Sequence, residues 1–262
     1  MKKKKFMTFC LAVSFGGLLV GGAWTAQPGA QDIDEHADRI LREMGDYLRA
    51  AEEYTFRADI AYDDVVDDQM IQFGAVAQLS LQRGAEQLPD RLNVEFNGDE
   101  MRRRVVFDGK TITLHNQSRN VYAITEVPSK VDLALDHLFE VFGSSVPIAD
   151  LVYADPYRTL IENAETGYVV GQHPVNDVLC HHLAFAQEAI DWQIWIEVGP
   201  RPVPRKLVIT YRDEPGSPQY VSELSEWNFT PRLSEHYFTF RPPEDADEIE
   251  FLPPQEREGE QQ

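Results

Sequence analysis

The chain has 262 residues, of which 24 are basic and 44 acidic, so its net charge near neutral pH is −20. Nucleic acid and anionic membrane surfaces repel a chain this acidic, which argues against both as partners. Only two cysteines are present, so a disulfide framework is excluded as the source of stability, and a chain of this length can instead bury a hydrophobic core.

The first 26 residues have the three parts of a secretory signal peptide. Four lysines stand at the start, an apolar stretch runs from Phe6 to Val20, and small residues follow it. The stretch is shorter than the roughly 20 apolar residues of a membrane-spanning helix. We therefore expect residues 1–26 to be a signal peptide, cleaved best after Ala23 and alternatively after Ala26 or Ala30, which predicts a soluble periplasmic protein.

Cys10 does not stand where an acyl-anchor cysteine would. A lipidated cysteine ends the apolar region after small residues, whereas Cys10 follows Thr8 and Phe9 near its beginning, so we expect no stable membrane anchor. Cleavage removes four lysines and no acidic residue, which takes the net charge from −20 to −24. The mature chain keeps one thiol, Cys180, and therefore has no internal disulfide.

The mature chain is predicted to begin with a helix and to continue as strands. Apolar residues between Asp32 and Tyr54 recur at gaps of three and four, which predicts one amphipathic helix. From Thr55 the period becomes two, and short turns separate six segments, FRADIAY, QFGAVAQLSLQ, RLNVEFN, RRVVF, TITLHN and NVYAIT. These predict an antiparallel meander, in which the Asp108–Gly109 pair is typical of a two-residue hairpin turn.

A helical insertion interrupts the strands. Ser129 can cap a helix whose third position is Asp132. Asp155 and Pro156 open a second, shorter helix that we expect to end near Ala164. The apolar face of the first of these helices is formed by Val131, Leu135, Leu138, Phe139 and Phe142.

After Gly167 the two-residue period returns, in YVVGQ, VLCHHLAFAQ, DWQIWIEV, RKLVITYR, QYVSELSEWNF and HYFTF. Residues 27–252 are thus predicted to be one α+β domain, and residues 253–262 a disordered acidic tail. An antiparallel sheet of about 11–12 strands curls into a half-open β-barrel. The N-terminal helix and the helical insertion, acting as a lid, would then cover its concave side.

The segment CHHLAF, residues 180–185, has the composition of a metal or nucleophile site but not the arrangement. On a strand, Cys180 and His182 face one way and His181 the other, so the three cannot easily hold one metal ion. Two ligands are fewer than zinc needs, and the other histidines show no ligand spacing. No nucleophile elbow, phosphate loop or dinucleotide fingerprint is present. We therefore predict no catalytic residue, no metal and no cofactor.

Two neighbouring strands favour an apolar cavity. Large apolar side chains alternate with polar ones along DWQIWIE and PRKLVITY, and an ordinary packed core is the alternative interpretation. A curved sheet of about a dozen strands, however, encloses more space than two or three short helices fill. We predict that the ligand-binding cavity wall consists of Trp192, Ile194, Ile196, Leu207 and Ile209, with Phe139 and Phe142 contributed by the lid.

These segments resemble an uncharacterised bacterial family of predicted periplasmic proteins with a domain of unknown function. The resemblance spans nearly the whole mature chain and is carried by DPY (155–157), CHHLAF (180–185), DWQIWIE (191–197), PRKLVITY (204–211) and PQY (218–220). That family is distantly similar to the LolA- and LolB-type lipoprotein-localisation carriers. The similarity implies a half-open barrel with a helical lid over an acyl-chain-binding cavity. It also implies a buried arginine that ties the lid, which we assign to no single residue.

Three functional hypotheses remain open. The first is a soluble periplasmic carrier or sensor for a lipidic or acylated ligand, such as a lipid or a lipoprotein acyl chain. The second is an interaction module without a ligand cavity, which uses sheet edges to bind other envelope proteins. The third is a thiol- or metal-dependent hydrolase.

Overall fold

The computed structural model describes residues 31–85, 88–142 and 147–250, and the side chains of residues 140–142 are not described. The predicted signal peptide and the predicted tail from residue 253 lie outside these ranges. Within them, 49% of the residues form one large curved sheet that does not close on itself. The prediction of a curved antiparallel sheet with few helices is confirmed.

The sheet has thirteen strands in the described chain. They are β1 (Asp32–Ile33), β2 (Glu53–Val66), β3 (Gln69–Gln82), β4 (Arg91–Gly98), β5 (Arg102–Phe107), β6 (Thr111–Asn116), β7 (Val121–Glu126), β8 (Thr166–Val175), β9 (Val178–Ala186), β10 (Ile190–Glu197), β11 (Pro204–Tyr211), β12 (Gln219–Asn228) and β13 (Asp247–Glu248). Their spatial order is β1-β8-β9-β10-β11-β12-β2-β3-β4-β5-β6-β7-β13. Two antiparallel meanders, β2–β7 and β8–β12, therefore meet where β12 pairs with β2.

Two short parallel strands at the sheet edges carry no periodic signal and were not predicted. β1 pairs with the start of β8, and β13 pairs with the start of β7. Ile33, predicted to lie on the N-terminal helix, belongs to β1 instead. The helix begins later because the Asp34 side chain caps it, accepting hydrogen bonds from the backbone N–H groups of His36 and Ala37 at 2.7 and 3.1 Å.

The segment HYFTF, predicted to be a strand, forms a 3-10 helix at Glu235–Phe238. It lies in residues 229–250, which we call the C-terminal strap. Phe238 is buried, Glu235 accepts from Arg91 at 3.0 Å, and the Tyr237 carbonyl accepts from Arg104 at 3.2 Å. This part of the strap crosses β4 and β5, which already have two neighbours each, so HYFTF has no free strand edge to join.

The N-terminal helix, α1 (Glu35–Arg49), packs its apolar face completely. Five apolar residues of that face are at most 4% exposed: Ala37, Ile40, Leu41, Met44 and Leu48. A third helix, α3 (Pro156–Ile161), crosses α1 at Gly45, where an added Cβ would stand 2.5 Å from the Tyr157 Cβ. Tyr157 also contacts Asp38 and Arg42 through its hydroxyl. The DPY segment is thereby explained, because Asp155 caps α3, Pro156 opens it and Tyr157 joins it to α1.

The second helix, α2 (Val131–Phe142), is capped from a distance. In place of the predicted Ser129 side chain, the buried Asp90 carboxylate accepts from the Val131 N–H at 3.0 Å. Lys130 pairs with the same carboxylate at 3.3 Å, and Gly84 donates to it at 2.9 Å. The start of α2 is therefore fixed to the connection between β3 and β4.

Candidate functional site

A cleft of about 660 Å³ lies between the helical insertion and the sheet, and we call it the lid cleft. Its floor comes from β10 and β11, and its roof from α2, the 3-10 helix Pro147–Leu151 and α3. The lining residues are Asp132, Leu133, Asp136, Asp150, Tyr153, Ala154, Asp155, Arg158, Thr159, Leu160, Glu162, Asn163, Gln187, Ile190, Trp192, Leu207 and Ile209.

The floor is apolar because alternate residues of β10 and β11 face the helices. Trp192 lies opposite Ile209 in the ladder, and Leu207 lies opposite Ile194. The Trp192 indole stacks on Phe185 of β9, with ring centroids 4.1 Å apart and planes 13° apart. Trp192 is 3% exposed, and its indole N–H has no hydrogen-bond partner in the part of the chain that the structure describes.

The residues predicted as cavity wall divide into two groups. Trp192, Leu207 and Ile209 line the lid cleft, whereas Ile194 and Ile196 are fully buried in the core and lie outside its lining. Phe139 is half-buried and packs against the core, and the side chain of Phe142 lies outside the described residues.

Leu133 lines the cleft from the lid and was not predicted. This α2 side chain remains 52% exposed. It lies off the apolar stripe that begins at Val131 and continues through Leu135 and Leu138, so the periodicity assigns it to the solvent side. Only the structure shows that Leu133 lines the cleft, because the sequence does not show which strands lie opposite it.

The rim of the cleft is acidic. Five carboxylates line it, from Asp132, Asp136, Asp150, Asp155 and Glu162, and Arg158 is the single basic residue of the lining. Three of the carboxylates already accept hydrogen bonds. Asp132 accepts from the Ala154 N–H at 2.8 Å, Asp136 from the Tyr153 hydroxyl at 2.8 Å, and Asp155 from the Arg158 N–H at 3.0 Å.

Burial perturbs the ionisable groups around the cleft. It raises the pKa of Asp150 from 3.8 to about 7, because removal from water disfavours the carboxylate. Burial also raises the pKa of Asp132, although the hydrogen bond from Ala154 opposes that effect. The pKa of Tyr153 is raised as well, first by burial and then by its hydrogen bond to Asp136. The Asp150 carboxyl is therefore only partly ionised near neutral pH.

Arg83 at the end of β3 ties the roof of the cleft to the sheet. Its Nη2 donates to the Val152 carbonyl at 3.1 Å and to the Tyr153 carbonyl at 2.9 Å. Tyr54 of β2, fully buried, donates to the Leu151 carbonyl at 2.8 Å. These bonds join residues 151–153, at the end of the 3-10 helix, to two central strands. The sequence carries no signal for them, because the carbonyls lie about 70 residues away from Arg83.

A larger cleft of about 1090 Å³ lies at the C-terminal end of α1. Its lining contains both arginines and glutamates, and some of these side chains form ion pairs with one another or hydrogen bonds with the backbone. Arg91 pairs with Glu235 at 3.0 Å, and Glu53 accepts from the Arg232 N–H at 3.3 Å. Tyr47, Leu88 and Phe229 are its main apolar side chains. The lid cleft differs in having three large apolar side chains from two adjacent strands, Trp192, Leu207 and Ile209, on one side, so we take it as the candidate for a hydrophobic ligand.

The Cys180–His182 segment has the alternation that the sequence predicts. His182 stacks on Trp195 at 4.0 Å, with its Nε2 2.9 Å from the Gln193 Oε1, whereas His181 meets His36 of α1 at 6.2 Å. The Cys180 thiol donates to the Val178 carbonyl at 3.3 Å, and burial raises its pKa. A raised pKa keeps the thiol protonated, which is unfavourable for a nucleophile.

Two kinds of feature are absent from the described part of the chain. No group of three or more histidines, cysteines or carboxylates there is arranged to hold a metal ion. None of the helices in the described ranges is long and apolar enough to cross a membrane.

Among curated proteins, none matches this chain. Three solved structures illustrate the similarities that do exist. An uncharacterized conserved protein from Thermus thermophilus is 14% identical, with a TM-score of 0.46 over 82% of this chain and 99% of its own. The Mycobacterium tuberculosis lipoprotein LppX is 12% identical, with a TM-score of 0.44 over 74% and 96%. A LolA superfamily protein from Nitrosomonas europaea is 9% identical, with a TM-score of 0.38 over 78% and 97%.

The family assignment does not depend on those structures. A family model described as "Predicted periplasmic protein (DUF2092)" matches residues 37–252, which include most of α1, the helical insertion and almost the whole sheet. The chain therefore belongs to this family of predicted periplasmic proteins.

Proposed function

We propose that the protein is a soluble periplasmic carrier or sensor that holds a lipidic or acylated ligand in the lid cleft. The observation that carries the proposal is the exposed Leu133 on the roof above an apolar floor of Trp192, Leu207 and Ile209. Exposed leucines are common singly, but one that lines a concave apolar site is a feature of ligand pockets.

The ties of the lid support this function. Arg83 and Tyr54 hold the backbone of residues 151–153, and Asp90 holds the start of α2. Together with the apolar side chains that the insertion buries in the core, these polar bonds would fix the height of the roof above the floor. A roof that is held in this way leaves space for an apolar chain, and breaking a few bonds would open it.

Export is part of the same proposal. We propose that residues 1–26 are cleaved and that residues 27–252 form the one functional domain. The full chain should mature to a smaller periplasmic form, whereas a chain without residues 1–26 should remain in the cytoplasm. Fractionation and mass spectrometry measure this, and an intact chain in the inner membrane would contradict it.

Binding of a neutral hydrophobic fluorophore, N-phenyl-1-naphthylamine, tests the cleft. We expect saturable binding of one fluorophore molecule per protein molecule. The variant Leu133→Trp should abolish most of this binding, because the larger side chain fills the cleft. The thermal midpoint should hardly change, since Leu133 is half exposed. Leu88→Trp is the matched control, because Leu88 is 62% exposed and lines the larger cleft instead.

The outcomes separate the two clefts. Loss of binding in Leu88→Trp but not in Leu133→Trp would move the site to the larger cleft. Absence of saturable binding in the unsubstituted protein would contradict the carrier function. Ile194→Trp is unsuitable as a blocking variant, because Ile194 is fully buried and the larger side chain would overpack the core.

The second candidate function, an interaction module, has one observation in its favour. β1 covers only Thr166 and Gly167 of β8, and beyond them Tyr168 and Val170 are 58% and 49% exposed along the outer strand. An edge of this kind can accept a strand from a partner. A photoreactive residue at position 170 should then crosslink one envelope protein, and the same residue at exposed Met70 should not.

A further inference from the structure

We infer that the lid cleft selects an amphiphile with a positively charged head group, such as an amine or a quaternary ammonium, over fatty acids and phosphate-headed lipids. This inference rests on the proposed function and narrows the chemical class of its ligand. Apolar contact with the floor would hold the tail, and the carboxylates of the rim would hold the head.

Two of the rim carboxylates are available for a ligand. Asp150 and Glu162 have neither a hydrogen bond to their carboxylates nor an ion pair among the residues that the structure describes, unlike Asp132, Asp136 and Asp155. They project from separate elements, Asp150 from the 3-10 helix and Glu162 from the end of α3, and line one cleft. A cation in the cleft would therefore meet two carboxylates that form no ion pair within the described chain.

The lining of the lid cleft carries little positive charge. Arg158 is the only lysine or arginine that lines the cleft, against five carboxylates. An anionic head group would therefore approach a rim of its own sign, and such like-charge contact disfavours binding. Arg158 is exposed and can turn to solvent.

The floor supplies an independent sign of a ligand. Trp192 is 3% exposed, yet its indole N–H lacks an acceptor in the described chain. A buried tryptophan normally finds one. An ester, amide or ether oxygen between head and tail would provide this acceptor once the indole turns its N–H, which is sealed from the cleft in this structure, toward the ligand.

The state of Asp150 agrees with this arrangement. Burial without a partner raises its pKa to about 7, because nothing nearby compensates the ionised carboxylate. The ionisable groups that interact with Asp150 are Tyr153 and Tyr211, and neither is cationic. A bound cation would stabilise the ionised form.

Competition with N-phenyl-1-naphthylamine by three probes with the same twelve-carbon tail tests the inference. The probes are dodecyltrimethylammonium, dodecyl maltoside and dodecanoate, each below its micelle concentration, at about pH 8.5 so that Asp150 is ionised. We expect the ammonium probe to bind roughly tenfold more tightly than dodecanoate in about 0.15 M salt, with the maltoside between them. The difference should shrink as the salt concentration rises.

The double variant Asp150→Asn, Glu162→Gln tests the residues. It should lower the affinity for the ammonium probe about five- to tenfold. The affinity for the maltoside should stay the same, which also shows that the variant is folded. The matched control, Glu244→Gln with Glu250→Gln, removes the same charge from the exposed C-terminal strap. It should change neither affinity, because the net charge of the chain is not the cause.

Each result has one meaning. Equal weakening in both double variants would overturn the inference and leave only general attraction to an acidic protein. Dodecanoate binding as tightly as the ammonium probe, with Leu133→Trp blocking both, would also overturn it but would leave the carrier function standing. No displacement by any probe, with no saturable fluorophore binding, would remove the carrier function itself.

Discussion

Two helices that pack against the sheet meet it in opposite ways. The apolar face of α1 is at most 4% exposed and is part of the core. α2 buries Val131 and Leu135, yet its Leu133 is 52% exposed and its Asp132 and Asp136 line the lid cleft. One helix therefore fills the space beneath it, and the other roofs a space that it leaves open.

The difference lies in what holds each helix. α1 is held by dispersion and hydrophobic contact, with Gly45 admitting the backbone of α3. The insertion that contains α2 also packs apolar side chains such as Val131, Ala134 and Leu135 into the core. In addition, polar bonds tie it to the sheet at two places, through Asp90 with Lys130 and through Arg83 with Tyr54. These ties fix the position of the insertion while the outer face of α2, with Leu133, stays unpacked.

The strongest test of this difference in packing truncates one leucine on each helix. Leu41→Ala on α1 should reduce the free energy of unfolding by about 2–5 kcal/mol, because it leaves a cavity in a closed core. Leu133→Ala on α2 should change it by less than about 0.5 kcal/mol. Urea denaturation measures both, and equal losses would show that α2 is packed as α1 is.

The next largest effect concerns the charge beneath the lid. The pKa of Asp150 is about 7 in the folded protein against 3.8 unfolded, so the folded state binds the extra proton between those values. Its contribution to stability is thus intact below pH 3.8 and is lost as the pH rises through about 7. A shift of this size corresponds to about 4 kcal/mol at most.

Asp150→Asn should remove that dependence. The variant should match the unsubstituted protein near pH 4 and exceed its stability by about 2–4 kcal/mol near pH 8. Comparing the two proteins at each pH cancels the titration of all other groups. Glu162→Gln, at an exposed position of the same rim, should show no such trend, and a trend in both would mean that burial of Asp150 is not the cause.

The periodic parts of the fold were predictable from the sequence because local chemistry decides them. A hairpin turn forms near the predicted Asp108–Gly109 pair, but its two central residues are Gly109 and Lys110, one position later than predicted. Gly109 has a φ of 92°, and the Asp108 side chain accepts from the N–H groups of Lys110 and Thr111. HYFTF alternates like a strand, but a sequence period cannot show that the neighbouring strands already have partners.

The lid cleft was predictable only in part. Alternation along β10 and β11 places Trp192, Leu207 and Ile209 on the concave side, but it places Ile194 and Ile196 there too, and only packing separates them. The five carboxylates lie between residues 132 and 162 in a chain with 44 acidic residues. The sequence therefore gives no reason to single them out from the other acidic residues. Arg83 is equally concealed, since its acceptors are backbone carbonyls.

Removing the hydrogen bonds of Arg83 should affect the insertion but not α1, with a smaller loss of unfolding free energy than Leu41→Ala causes. Arg83→Met keeps much of the side-chain volume but loses both bonds to the carbonyls of Val152 and Tyr153, so we expect a loss of about 1–3 kcal/mol. Hydrogen exchange should accelerate in the 3-10 helix and α3 but not in α1. Arg102→Met, at an exposed arginine of β5, is the control, and uniform acceleration would show that Arg83 supports the whole fold rather than the lid.

The smallest expected effect is on the opposite face of the sheet. Cys180 is fully buried beside Glu197, and its thiol donates to the Val178 carbonyl at 3.3 Å. Cys180→Ser keeps a donor at this position but puts a more polar atom where a small hydrophobe sat, so we expect a loss of about 1 kcal/mol. Binding of N-phenyl-1-naphthylamine should be unchanged, because Cys180 shares its face with His182 and Trp195 and not with Trp192. Retained binding with a slightly lower thermal midpoint would place the ligand on the concave side. A loss of probe binding without unfolding would contradict the lid cleft as the site and return attention to the thiol.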